Sequence, residues 1–281
     1  MPQRPVANRP ARIRIGAVAY LNAQPLTAYL AQFAPDAEIV VDLPSWLADG
    51  LAAGRLDVAV VPSIESLRNP GYTIVSDACV ACDGPVRSVK LFGRRAVEQI
   101  RTLALDEGSR TSAAMVQILL KERFGLSPAI EPLPIGASVE DTSADAVLLI
   151  GDRGMQPANG RFEFVWDLGE AWTDWTGLPF VFAMWTAREG VDLHGLADTL
   201  ARARDEGVAR LAEIAHAEAP ALGIDEADCL VYLRDHLEFR LGPRQRQGLE
   251  MFCQLAGRHG LVPAGAELVF HDHYAPQHPD R

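Results

Sequence analysis

Along the first two-thirds of the chain, short apolar runs alternate with stretches whose hydrophobic positions recur every three to four residues. That alternation of strand-like and helix-like patterns predicts a parallel α/β architecture. Residues 12–20 read as a strand and 23–32 as a helix. A second strand is predicted over 38–43, and Ser45 is placed to cap a helix that ends at Gly54. Residues 57–61 are almost purely apolar and stop at Pro62, as in a strand covered on both faces. Residues 86–92 read as a longer strand leading out through Gly93 and Arg94.

A second block repeats this grammar. Strands are predicted over 102–105, 146–150 and 162–166, with a helix over 111–124 closed by Gly125. Pro132 marks 130–133 as an edge strand at best. Residues 177–186 are extended and apolar. Beyond residue 190 the strand pattern stops, and 193–217, 225–239 and 243–259 show helical periodicity, with Pro220 and Gly242-Pro243 as breaks. No internal repeat of 20–50 residues is visible.

This order predicts two lobes joined by two crossing strands, near residues 88–96 and 176–190. The first lobe is expected to comprise 12–92 and 188–281, with the C-terminal helices packing on it, and the second 93–187. A ligand then belongs in the cleft between lobes, beyond the carboxyl ends of the strands.

Composition narrows the function. The 281 residues are 48% hydrophobic and 22% charged, so the chain can build an ordinary core without metal or disulfide staples. A net charge of -11 argues against a nucleic-acid partner or an anionic membrane surface. It leaves an anionic small molecule open, because a site needs only local positive potential. No apolar run approaches a membrane span, and the first 14 residues lack the apolar stretch of a signal peptide, so a cytoplasmic protein is expected. Cys79 and Cys82 have C-x-x-C spacing, but residues three apart on a strand face opposite ways, which points to buried thiols. Cys229 and Cys253 read as helical core.

Candidate chemistry gathers at the strand-to-helix junctions. Asn22 is placed either as a helix cap or with its amide in the cleft, where it can donate to a carboxylate or hydroxyl. Ser63 can cap the next segment or offer a hydroxyl to a ligand, and Ser88 lies at a lobe junction. In Asp106-Glu107-Gly108-Ser109-Arg110-Thr111-Ser112 a strand ends, a glycine permits a tight turn and three hydroxyls crowd a helix start. Free N–H groups and the helix dipole make Ser109, Arg110, Thr111 and Ser112 a candidate anion site. Gly151-Asp152 ends a buried strand, where Asp152 can orient a substrate hydroxyl or pair with Arg153. Trp166, Trp172, Trp175 and Trp185 read as core. All seven histidines lie at or beyond His194, outside the strand-rich blocks, which disfavours a Ser–His or Cys–His dyad. His271-Asp272-His273 is a weak candidate for metal binding. No zinc-protease, P-loop or dinucleotide fingerprint is present.

Five segments carry a resemblance. They are Ile15-Gly16-x-Val18-x-Tyr20-Leu21-Asn22-x-x-Pro25-Leu26, Gly84-Pro85-Val86-x-Ser88-Val89, Asp106-x-x-Ser109-Arg110-Thr111-Ser112, residues 144–152, and residues 176–183. In this order they resemble the chorismate dehydratases of the futalosine route to menaquinone. The resemblance implies a type II periplasmic-binding-protein fold and loss of water from chorismate to give 3-[(1-carboxyvinyl)oxy]benzoate. It also implies no metal or organic cofactor, chorismate as small-molecule partner, and a monomer or homodimer. Asn22 and Ser88 match family positions thought to act at the reacting centre. Ser63, Gly151, Asp152 and the helix start at Ser109–Ser112 would then bind substrate, whose own enolpyruvyl carboxylate would take the proton. Two rivals share the fold: an intracellular binding or sensor protein, and the 1,4-dihydroxy-6-naphthoate synthases. The latter use a histidine base in the second lobe, and this sequence offers none there.

Overall fold

The computed structural model describes residues 12–156 and 160–271. In chain order the strands are β1 (Arg14–Val18), β2 (Glu38–Asp42), β3 (Val58–Pro62), β4 (Thr73–Cys82), β5 (Val89–Gly93), β6 (Thr102–Asp106), β7 (Ala129–Leu133), β8 (Ala146–Ile150), β9 (Phe164–Asp167), β10 (Phe180–Ala187) and β11 (Glu238–Arg240). They form two mixed sheets, ordered β11-β4-β10-β3-β1-β2 and β7-β6-β8-β5-β9. β3 and β8 are buried along their whole length, as their unbroken apolar sequences require. β7, with Pro132, is an edge strand.

The sheets are less purely parallel than the sequence pattern implies. β1 runs parallel to β2 and β3, and β6 to β7 and β8. The strands that flank the crossings run against them: β10 is antiparallel to β3 and β4, and β5 to β8 and β9. This pairing moves the lobe boundaries. β5 bonds to β8 and β9, so residues 89–92 belong with the second sheet, and β10 bonds to β3 and β4, so 180–187 belong with the first. The crossings are the short segments 83–88 and 177–179, not long strands.

Residues 86–88 are a turn instead of the start of a strand. Ser88 N–H donates to the Val86 carbonyl at 2.7 Å, and Arg87 sits at φ +62°. Asp167 holds this turn, accepting Val86 N–H at 2.9 Å and Arg87 N–H at 2.5 Å. The same carboxylate caps the helix Leu168–Thr176 through Gly169 N–H at 3.0 Å. That helix was not among the expected elements, although Asp167 before it and Gly177 after it are ordinary helix boundaries.

The C-terminal third departs from the pattern in three places. The helix expected over 193–217 is two, Leu196–Ala209 and Leu211–Leu222, broken at Arg210. Pro220 lies inside the second, and the break comes at Gly223, whose φ of +66° supplies the left-handed turn. The helix Glu226–Asp235 stops short, and β11 follows as an antiparallel addition to the edge at β4, so strands do not end at residue 190. One expected cap also moves, and one expected helix is divided. The helix Pro44–Ala52 starts from Leu43 with Pro44 in its first turn, and Ser45 is buried inside it. The stretch 23–32 is three short turns, Leu21–Ala23, Gln24–Thr27 and Leu30–Phe33.

Candidate active site

A cavity lies between the two sheets. Val18, Val60 and Phe182 form its floor on the first sheet, and Val89 and Ile150 line it from the second. Its polar rim comes from loops at the carboxyl ends of β1, β6 and β8: Tyr20 and Asn22, residues 108–112, and Gly151. This is the place where open α/β sheets put ligands.

Asn22 is not a helix cap. It sits in the middle of the 3-10 turn Leu21–Ala23, which starts from Tyr20 without a side-chain cap. Its amide reaches the cavity and bonds to no described residue. The helix Thr111–Phe124 faces it from the second sheet. No side chain caps this helix start either. The first bond of its backbone ladder runs from Ala114 N–H to the Arg110 carbonyl, so the amides of Thr111, Ser112 and Ala113 precede it. Ser109, Thr111 and Ser112 are nearly buried around those donors, and the Thr111 hydroxyl accepts Ile64 N–H at 3.3 Å. The arrangement suits a carboxylate or phosphate.

Asp106 holds these loops in place. Its buried carboxylate accepts Gly108 N–H at 2.9 Å, Ile150 N–H at 3.3 Å and the Arg153 guanidinium at 2.6 Å. Burial pushes its carboxyl up against the pull of Arg153 and the two amides. Arg153 therefore pairs with Asp106, which removes the pair with Asp152 that was one of two readings of that residue. Arg110 lines the cavity but is committed to Asp49 at 2.6 Å and Glu65 at 3.2 Å, both from the first lobe. Two carboxylates offset its charge.

Three further candidates lie off the cavity wall. Ser63 is fully buried, and its hydroxyl donates to the Val181 carbonyl at 2.8 Å, tying β3 to β10. Ser88 is fully buried beside Val89, and its hydroxyl lies by the buried Tyr232 hydroxyl. Asp152 sits just beyond Gly151, where its Oδ1 accepts Leu21 N–H at 3.2 Å. Burial raises its carboxyl to about 6.

Sequence reasoning missed Tyr20. Its ring rests on Gly151, and its hydroxyl lies beside Arg153. Burial, with Asp106 nearby, pushes this phenol up to about 12, so it is a neutral hydrogen-bonding group at neutral pH. The one available signal was its place between β1 and Asn22. Among the described residues no histidine lines the cavity. His236 nevertheless reaches the hinge, with Nδ1 2.9 Å from the Pro85 carbonyl. Cys79 and Cys82 are buried thiols held in the protonated form by desolvation. Among the described residues no group of three or more His, Cys, Asp or Glu side chains could hold a metal ion, and no helix is long and apolar enough to cross a membrane. Asp272 and His273 lie outside the described residues, as do Met1–Ala11.

The comparisons agree with this geometry. The structure resembles a protein of Archaeoglobus fulgidus (TM-score 0.66, 17% identity, covering 89% of this chain and 98% of that one). It also resembles a Candida albicans protein described as having the generic periplasmic-binding-protein fold (TM-score 0.56, 11% identity, covering 88% and 90%). Those likenesses establish the fold. In sequence, the chain is 32% identical over 261 residues to the chorismate dehydratase of Thermus thermophilus, covering 86% of this chain and 94% of that protein. Residues 13–258 match the family model described as menaquinone biosynthesis. With that match spanning the α/β frame and the whole cleft, the chain belongs to the menaquinone-biosynthesis family that includes the Thermus chorismate dehydratase.

Proposed function

We propose that this protein is a chorismate dehydratase acting in the cleft between its two sheets. One observation carries the reading beyond family membership. An uncapped helix start rich in hydroxyls and the unengaged Asn22 amide line the same inter-sheet cavity. Chorismate carries two carboxylates and one hydroxyl, and the site offers donors for such groups from both sides.

The reaction asks for little acid–base power. The ring proton at the ether-bearing carbon is acidified through the diene by the ring carboxylate. Its loss, with departure of the neighbouring hydroxyl as water, makes the ring aromatic. Positioning and oriented dipoles can then supply most of the acceleration. In this reading the amides of 111–113 with Ser109, Thr111 and Ser112 hold one carboxylate, and Gly151 provides a backbone surface. Asn22 donates to the enolpyruvyl carboxylate, which takes the proton and passes it to the departing hydroxyl. Ser88 remains a proposed participant through its buried hydroxyl, which lies beside Val89 of the cavity wall and the Tyr232 hydroxyl. Arg110 contributes by freeing one of its two carboxylate partners. Ser63 acts in this reading by fixing the end of β3.

The deciding experiment incubates purified, metal-free protein with chorismate and follows product by chromatography and mass. Formation of a product lighter by one water supports the proposal. Saturable binding of chorismate or another small carboxylate without turnover would replace it with a binding or sensor role.

A further inference from the structure

We propose that Asp152 is a positioning residue for this reaction: reaching across the cleft, it accepts the Leu21 N–H and so fixes the turn that presents the Asn22 amide. The inference rests on the dehydratase reading for its catalytic consequence, but not for the contact itself.

Four observations converge on it. First, the Asp152–Leu21 bond joins residues 131 apart in the chain and spans the two lobes. Second, the turn Leu21–Ala23 has no cap of its own. Tyr20 precedes it in an extended conformation and supplies no side-chain bond, so Leu21 N–H is an orphan donor that Asp152 satisfies from the opposite lobe. Third, Gly151 adopts φ +64° and ψ -151°, a conformation that favours glycine and turns Asp152 towards the first lobe. Fourth, the Tyr20 ring packs on that same Gly151, so the residue before the turn and the amide that opens it are held by consecutive residues of the second lobe.

The surroundings of Asp152 exclude a conventional ion pair. The charged or titratable groups facing it are Glu218, Cys229 and Tyr232 from the C-terminal helices and Tyr20 from the end of β1. None of these is a cation. The neighbouring Arg153 is occupied by Asp106. Asp152 is also absent from the cavity wall, so its carboxylate acts on the Leu21 amide instead of on a substrate hydroxyl. What the site requires is a short side chain bearing a hydrogen-bond acceptor. An asparagine oxygen would serve, whereas an alanine would release the turn.

The test uses Asp152→Asn and Asp152→Ala in the full-length protein, with kcat and KM for chorismate measured alongside thermal unfolding. Asp152→Ala should lower kcat by roughly 10- to 30-fold with KM within about threefold, because a displaced amide costs orientation more than binding. Asp152→Asn should retain kcat within about threefold of the parent, since the acceptor survives. Asp152→Ser, polar but too short to reach Leu21, replaces the alanine variant if that one does not fold, and should behave the same way. Equal losses in the asparagine and alanine variants would overturn the proposal, because the charge would then act on substrate. Parent-like kcat in all variants would overturn it too. Hydrogen exchange at the Leu21 amide gives a readout independent of activity. It should quicken at least about tenfold in Asp152→Ala and little in Asp152→Asn, and unchanged exchange in both would overturn the contact. A parent protein that fails to convert chorismate yet shows this exchange pattern would sink the dehydratase reading alone.

Discussion

The aromatic ring of Tyr20, carried past the end of β1, lies against the backbone of Gly151 at the end of β8, so that a Cβ on Gly151 would stand 2.9 Å from the ring carbon Cζ. This contact joins the two lobes directly beside Asn22. It is reinforced by Arg110 with Asp49 and Glu65, and by Ile64 N–H on the Thr111 hydroxyl. Lobe approach and site assembly are therefore one event.

Gly151→Ala is expected to prevent that approach. The new Cβ meets the Tyr20 ring, and the φ of +64° strains any L side chain. The ratio kcat/KM should fall by at least about tenfold, with most of the effect in KM, because the cleft no longer closes on substrate. Adding Tyr20→Ala should recover only part of the loss, since the backbone strain stays. Steady-state kinetics on the single and double variants check both statements.

Ser112→Asp would place a carboxylate at the start of the helix Thr111–Phe124, among the donors assigned to a substrate carboxylate. The helix itself should tolerate an acidic residue in its first turn. The expected outcome is a Tm within a few degrees of the parent and a KM for chorismate raised by at least about 30-fold through like-charge repulsion. A KM near the parental value would remove this helix start from the site.

Asn22→Ala should preserve the fold, because the amide bonds to no described residue. Its loss should appear in kcat, by about 10- to 1000-fold, the range seen when one preorganised donor is removed. Parent-like kcat in well-folded protein would rule Asn22 out of the chemistry.

The Asp152 carboxyl is raised to about 6 by burial, above its value in an unfolded chain. The folded state therefore holds a proton that the unfolded state releases between about pH 4 and pH 6. Stability from this group is fully present below about pH 4 and is lost as pH rises through 6. Asp152→Asn removes the buried charge, so it should be more stable than the parent at pH 7.5 by on the order of 1–2 kcal/mol, allowing for partial solvent access. The advantage should vanish near pH 4. Thermal melts across pH 4–8 test the sign.

Asp57 behaves in the opposite sense. Arg14 and Arg188, at 2.8 and 2.6 Å, hold its carboxyl well below the usual range. Its stabilisation is present above the ordinary carboxylate pKa and disappears only as pH falls through the depressed value. Asp57→Asn should lower stability at pH 7 by about 1–3 kcal/mol, the scale of a charged hydrogen bond. The deficit should shrink in strong acid. Chemical denaturation at pH 7 and pH 3 distinguishes these cases.

The helix start at Ser109–Ser112 was legible because a strand end, a glycine and clustered hydroxyls are local signals, and the structure brings them to the cleft as expected. Asn22 was half legible: its cleft position holds, while its role as a cap does not. Ser63, Ser88 and Arg110 show the limit. Each lies at the expected junction, but its hydroxyl or guanidinium is directed by neighbours far away in the chain: Val181, Tyr232, and the pair Asp49 and Glu65. Tyr20 and Asp167 carried only weak local signals, a place before Asn22 and a helix boundary, since one acts across the cleft and the other across the hinge.

By itself the sequence determined the alternation of strands and helices, the two successive α/β blocks and the hydroxyl-rich helix start. These follow from side-chain periodicity and turn residues acting over a few positions. Only the tertiary structure decided that β5 and β10 exchange sheets relative to expectation, that Arg153 serves Asp106, and that Asp152 meets Leu21. Strand pairing and ion pairing are choices among competing partners, and those partners meet only after the chain has crossed between lobes twice.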